Sequence, residues 1–244
     1  MKKFSSGYIH SIETMGLVDG PNIRIVIFMQ GCPLRCSFCH NPDTWKCVSQ
    51  LKLDANEVVD EIRKYRPYIE MGGGVTFSGG EPLLQSEFLL DMLKLCKKAG
   101  IHTCIDTSGT GYSKKYLDDI LKYTDLVILD IKAINERKYE EITTKNMDMF
   151  NYFIDRLKIN NNKLWIRQVI IPSINDTEEY ILNLKEYIKQ FNNIEKVELL
   201  PYHTLGIEKY KKLNFDYRLE GINDMDKVRC KELEKLLIDS LLYK

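Results

Sequence analysis

Several features that would place this 244-residue chain at once are missing from it. No apolar run approaches the roughly 20 residues that a membrane-spanning helix needs, so no membrane association is expected. Met1–Ser6 carries two lysines but no apolar stretch follows, and no secretory signal is read there. A cytoplasmic location is the expectation. Charge of one sign is not in excess either: 35 basic residues stand against 35 acidic ones. A nucleic-acid binder usually shows a basic surplus, so no nucleic-acid partner is expected, and the stretch Lys209–Lys212 reads as a solvated face. The chain has no low-complexity segment, no long linker and no short-period repeat. A single domain over residues 1–244 is the simplest reading.

A disulfide framework is also missing. There are seven cysteines, and an odd number in a reducing compartment argues against pairing. Cys96 falls in the helical run Glu87–Ala99 and Cys104 in the strand-like run Ile101–Asp106, so both read as small core residues. Cys47 follows Cys39 by eight positions, an irregular spacing that leaves it outside a ligand set. What remains is Cys32, Cys36 and Cys39.

Strand-like and helix-like segments alternate along the chain. Short apolar runs rich in β-branched residues predict parallel strands at Ile23–Met29, Gly74–Ser78, Ile101–Asp106, Asp125–Ile131, Leu164–Ile170 and Lys196–Leu200. Between them, Asp54 with Glu57 forms a capping-box pattern before a helix that carries Val58, Ile62 and Tyr65 on one face. Ser86 is placed to cap the next helix, and Gly100 stands where a left-handed terminal residue belongs. Thr177–Phe191 and Asp226–Leu242 are further amphipathic runs, and the interval from Ile131 to Leu164 is long enough for a helix pair. Six β–α units predict an α/β fold on a parallel sheet. Functional residues in such folds gather at the carboxyl ends of the strands.

The first predicted strand runs into Gln30-Gly31-Cys32-Pro33-Leu34-Arg35-Cys36-Ser37-Phe38-Cys39-His40-Asn41. Thiolates suit zinc or iron–sulfur clusters. Structural zinc wants four ligands. No second C-x-x-C pair exists, and His40 would have to bend back past Cys39 to serve. A 4Fe–4S cluster on three thiolates keeps one iron open, as catalysis requires. A non-enzymatic zinc-binding module is the alternative of a different class.

The C-x3-C-x2-C spacing resembles the signature of the radical S-adenosylmethionine (SAM) superfamily. The resemblance implies that the open iron is chelated by the amino and carboxylate groups of SAM, and that reductive cleavage yields a 5′-deoxyadenosyl radical. Gly79-Gly80-Glu81 after the second strand resembles the superfamily's GGE motif, whose backbone takes the SAM amino group; by itself it reads as a tight β–α connection. The resemblance narrows with Val18-Asp19-Gly20-Pro21-Asn22-Ile23-Arg24, Cys39-His40-Asn41, Gly72-Gly73-Gly74-Val75-Thr76, Gly100-Ile101-His102-Thr103-Cys104, Leu129-Asp130-Ile131-Lys132 and Leu199-Leu200-Pro201-Tyr202-His203. Over nearly the whole chain it is similar to the pyruvate formate-lyase activating enzyme family. That similarity implies a partial (β/α)6 barrel of the radical SAM type. It also implies an oxidoreductase that abstracts a hydrogen from one glycine α-carbon of pyruvate formate-lyase.

Carried over by position, the resemblance implies cluster ligation by Cys32, Cys36 and Cys39. It implies SAM contacts at Phe38, His40, Gly80, Asp130, Ile131, Lys132 and His203, with Arg167 near the SAM carboxylate. A monovalent cation is expected at Asp106, Thr107 and Asp130. Read from its residue type alone, Asp106 at a strand end is equally a helix cap, and a lone histidine such as His203 is usually structural. Asp19, Gly20 and Arg24 belong to the segment that meets the substrate's glycine loop. Asp19 and Arg24 are expected beside the cluster loop, offering charge-assisted hydrogen bonds to the substrate's glycine loop; the competing reading pairs Arg24 with a neighbouring carboxylate. Asn22 stands where the family usually has Gly, and Asn tolerates positive φ well. A flavodoxin- or ferredoxin-type electron donor and a monomeric state are expected. Some activases of other glycyl radical enzymes carry extra cysteine clusters in an insertion. The stretch after Cys39 is too short for one, which favours pyruvate formate-lyase as partner.

Overall fold

The computed structural model describes residues 4–49 and 51–239. In chain order its strands and α-helices are β1 (Ser6–Gly16), β2 (Arg24–Met29), β3 (Leu51–Asp54), α1 (Ala55–Arg63), α2 (Arg66–Glu70), β4 (Gly74–Gly79), α3 (Ser86–Lys98), β5 (His102–Thr107), α4 (Lys114–Lys122), β6 (Leu126–Asp130), α5 (Glu136–Thr143), α6 (Asp148–Asn160), β7 (Lys163–Ile170), α7 (Glu178–Ile188), β8 (Ile194–Pro201), α8 (Ile207–Leu213) and α9 (Lys227–Ile238). These residues form two compact units. The first takes the chain to Pro33, then Thr44–Leu129 and Asp148–Leu164; the second takes Leu34–Asp43, Asp130–Met147 and the chain from Trp165 onward.

The first unit is built on strands in the order β3-β1-β2-β4-β5-β6. β2, β4, β5 and β6 are parallel, with Arg24 opposite Gly74, Gly74 opposite His102 and Met29 opposite Gly79. That register brings the carboxyl ends of β2 and β4 level. β2 (RIVIFM) and β4 (GVTFSG) are almost wholly buried, which explains their continuous apolar runs: a parallel strand covered on both faces has no polar side to alternate with. Packed over the sheet are α1 on α3, α3 on α4 and α4 on α6. They supply Val58, Ile62, Phe88, Leu89, Leu93, Ile120, Phe150 and Phe153 to the core. Each such side chain contributes roughly 1.5–3 kcal/mol on burial.

Two strands of this unit are absent from the sequence expectation. β1 lies between β2 and β3 and pairs antiparallel with both, so β1 alone runs against the other strands of this unit. β1 is half-exposed along its length and β3 is a short, largely exposed edge, so neither shows the apolar run that marks a buried strand.

The second unit holds α5, β7, α7, β8, α8 and α9, with β7 beside β8 and α9 packed on both α7 and β8. Its core includes Tyr139, Ile166, Ile170, Ile181, Leu184, Tyr202, Tyr210 and Leu233.

Helix starts follow the local chemistry. Asp54 and Glu57 make the full capping box of α1. Thr177 caps α7 and Asp226 caps α9; the part of the last predicted helix beyond residue 239 lies outside the described residues. Gly100 adopts φ +70°. Two details differ. Ser86 is the first residue of α3, not its cap, because its hydroxyl donates back to Leu83 O. Tyr65 lies beyond α1, which ends at Arg63. The expected helix pair is present as α5 and α6.

Candidate active site

Most of the residues singled out by sequence stand at the carboxyl ends of strands. In the first unit the turn after β4 lies along the end of β2: Gly80 N donates to Met29 O at 2.9 Å and Glu81 N to Gly31 O at 2.8 Å. The approach needs glycine. A Cβ on Gly79, which sits at φ +112°, would come within 2.3 Å of Met29 N, and one on Gly80 within 2.3 Å of Gly31 O. The Gly-Gly pair therefore brings bare backbone next to the residues leading into Cys32.

Glu81 turns its side chain into the unit. The carboxylate is fully buried and accepts from Leu83 N, Thr107 Oγ1, Ser108 N and Ser108 Oγ. Burial pushes the carboxyl above its usual range, while the bonds from Ser108, Thr107 and Leu83 pull it back. Its position ties the end of β4 to the end of β5. Thr107 donates its hydroxyl proton to Glu81 and accepts from Gly109 N at 2.9 Å. Asp106 accepts from Ser78 Oγ at 3.1 Å.

Asp19 and Arg24 lie at the other end of β2. The strand runs from Arg24 to Met29, about 16 Å at 3.3 Å per residue, so the expectation of a place beside the cluster loop is corrected. Arg24 is wholly buried. Its Nε donates to Thr76 Oγ1 at 3.0 Å, Nη2 donates to Val75 O, and Nη1 faces His102 Nδ1 at 3.2 Å. The guanidinium is committed inside the unit, to a hydroxyl, a carbonyl and an imidazole, and is not offered to a partner loop. Thr76 Oγ1 in turn donates to Asp19 O at 2.6 Å, so Arg24 supports the Asp19 turn from beneath. Asn22 takes φ +58° there and its side chain donates to Gly72 O at 2.9 Å; the turn keeps positive φ without glycine.

In the second unit, β6 ends at Asp130, which pairs with Lys132 at 2.7 Å. Lys132 Nζ lies 5.4 Å from the centre of the Phe38 ring, within cation–π range. Ile131 N donates to Arg167 O at 2.9 Å. Arg167 sits within β7 and pairs with Glu198 at 2.9 Å, so its charge already has a carboxylate partner. His203 follows β8 and stacks on His40, the ring centres 3.9 Å apart. His40 Nε2 donates to His203 O at 3.0 Å. Burial lowers the His40 pKa, and the bond to His203 O partly restores it.

The residues fit the cofactors that the cysteine spacing implies. Cys32, Cys36 and Cys39 are half-buried thiols. Desolvation pushes the Cys36 thiol up to about 12, against the pull of Lys132. Such a thiol keeps its proton at neutral pH until a metal replaces it. His203 Nδ1 is buried with no hydrogen-bond partner among the described residues, a site awaiting a polar ligand. Among the described residues no group of three His, Cys, Asp or Glu side chains is gathered for a single metal ion. Cys96, Cys104 and Cys230 are buried and Cys47 is exposed. Sequence reasoning missed Arg218, which donates to Arg35 O in the cysteine loop from 183 positions away; no local pattern signals such a contact.

Parallel strands joined by helices, with glycine-rich and cysteine-bearing turns at their carboxyl ends, define an α/β fold of the kind whose functional residues gather at the strand ends. The family model of the radical SAM superfamily matches residues 26–185, and the chain belongs to that superfamily. Its cofactors are accordingly a 4Fe–4S cluster and SAM, and its fold class is the partial (β/α)6 barrel expected from the sequence. It is 55% identical over 236 residues to a pyruvate formate-lyase-activating enzyme of Clostridium pasteurianum, covering 96% of this chain and 98% of that one. A Listeria monocytogenes protein of the same name is 47% identical, over 88% of this chain and 90% of its own. Among solved structures, a domain of pyruvate-formate lyase-activating enzyme from Bacteroides vulgatus matches with a TM-score of 0.55 at 27% identity, covering 69% of this chain and 94% of that one. Streptococcus suis SuiB bound to precursor peptide SuiA shares the fold at a TM-score of 0.67 and 19% identity, over 93% of this chain and 46% of that one.

Proposed function

We propose that this chain activates pyruvate formate-lyase by generating a radical on one of its glycines. The observation that carries the reading is the similarity, along nearly the full length of both chains, to the Clostridium pasteurianum activating enzyme. When bound, the cluster and SAM supply a 5′-deoxyadenosyl radical that takes a hydrogen atom from the glycine α-carbon, after one electron has arrived from a donor protein.

The chain's own part is to hold, orient and exclude water. In this reading Cys32, Cys36 and Cys39 give three thiolates and leave one coordination position open. Gly79 and Gly80 present backbone to the SAM amino group, and Glu81 holds that turn in place. Phe38, His40, Asp130, Ile131, Lys132, Arg167 and His203 contact the rest of SAM. Asp106, Thr107 and Asp130 accept a monovalent cation. Asp19 meets the glycine loop, supported through Thr76 by Arg24. The electron donor is of the flavodoxin or ferredoxin type. The chain acts as one radical SAM domain, as a monomer, in the cytoplasm; no helix among the described residues is long and apolar enough to cross a membrane.

The test is anaerobic incubation of the reconstituted chain with pyruvate formate-lyase, SAM and a reductant, read by electron paramagnetic resonance. A glycyl radical on the lyase is the expected result. Iron, sulfide and SAM cleavage without that radical would transfer the activity to another glycyl radical enzyme. Zinc in place of iron and sulfide would sink the enzymatic reading.

A further inference from the structure

The cysteine loop of the second unit rests on the carboxyl end of α5. The last carbonyls of a helix have no partner within it. Here Thr143 O accepts from Arg35 N and Ile142 O from Ser37 N, both at 2.9 Å. The next carbonyl, Glu141 O, accepts from Arg218 Nη2, while Arg218 Nη1 donates to Arg35 O at 2.7 Å. One guanidinium thus bridges the helix end and the residue before Cys36.

We infer that Arg218 is a positioning residue that clamps the Cys36 loop to α5 and sets a positive charge beside that loop. The planar fork suits two carbonyls at once, whereas a lysine ammonium is a point charge on a flexible stem. The charge has a purpose at this place. A helix carboxyl end is partly negative, and a cluster on three thiolates is anionic and gains further negative charge when it takes an electron. Through its bond to Arg35 O, the Arg218 guanidinium stands one residue from Cys36 in the chain. The inference rests on the radical SAM reading of the three cysteines.

The experiment uses anaerobically reconstituted wild type, Arg218→Gln and Arg218→Lys. It measures iron and sulfide per chain, the rate of iron loss to a chelator, and the midpoint potential by redox titration under paramagnetic resonance. Arg218→Gln is expected to shift the potential in the negative direction and to lose iron several-fold faster. Arg218→Lys is expected to keep a potential near wild type while losing iron faster, because it retains the charge without the fork. If Arg218→Gln does not fold, Arg218→Lys decides: iron retention equal to wild type overturns the clamp. A wild-type potential in Arg218→Gln overturns the charge effect. Wild type that takes up no iron or sulfide defeats the cluster reading itself, a distinct failure.

Discussion

Seven cysteines carry the same side chain and differ in where the chain puts them. Cys96, Cys104 and Cys230 are buried, as a thiol serving as a small hydrophobe would be. Cys47 is exposed, its thiol 3.7 Å from Gln30 O. Alanine at Cys32, Cys36 or Cys39 is expected to abolish cluster-dependent SAM cleavage, since each removes one of only three thiolates. Alanine at Cys47, Cys96, Cys104 or Cys230 is expected to leave iron and sulfide content near wild type. Iron analysis and SAM cleavage on the seven variants check this, and loss of the cluster in Cys47→Ala would refute the three-ligand set. The burial of Cys96 and Cys104 was legible in the sequence because each falls within an apolar helical or strand-like run. The role of Arg24 was not. An arginine beside a glycine-rich turn looks like a surface anchor, and only its burial against Thr76, Val75 and His102 shows that it faces inward.

At the scale of elements, the buried parallel strands were legible to within a residue or two, because burial on both faces forces a continuous apolar run. β1 escaped notice because its place is set by pairing with β2 and β3 rather than by its own pattern. The turn into β6 adds an electrostatic anchor. Burial alone would raise the Asp125 carboxyl; bonds from Lys97 Nζ at 2.6 Å and from Thr103 N at 2.9 Å outweigh it and hold the pKa below the ordinary value of 3.8. For a carboxyl lowered on folding, the stabilisation is present above the unfolded pKa and is lost as pH falls through the folded one. Asp125→Asn is therefore expected to be less stable than wild type at about pH 6, with the gap closing below about pH 4. Urea titrations of both proteins at the two pH values measure it; a gap that stays constant would remove Asp125 from the acid response.

At the scale of the whole molecule, the reaction sets the conditions under which the protein works. An iron kept open for SAM is also open to dioxygen. Aerobic handling is expected to strip the cluster and abolish lyase activation, and anaerobic reconstitution with iron and sulfide to restore both. Iron content and activation measured before and after air exposure provide the check, and full activity after prolonged exposure would contradict the mechanism.

The sequence by itself determined the class of chemistry, because three thiols at C-x3-C-x2-C spacing on a loop after a strand depend only on neighbouring residues. It also determined the alternation of strands and helices and the capping box at Asp54, which is local hydrogen-bond chemistry. Only the tertiary structure decided which polar side chains face inward. Glu81 met by three donors from Thr107 and Ser108, and Arg24 set under the Asp19 turn through Thr76, are contacts between residues far apart in the chain. The physical reason is that a buried charge takes its partners from whatever the fold packs beside it, and sequence distance carries no record of that packing.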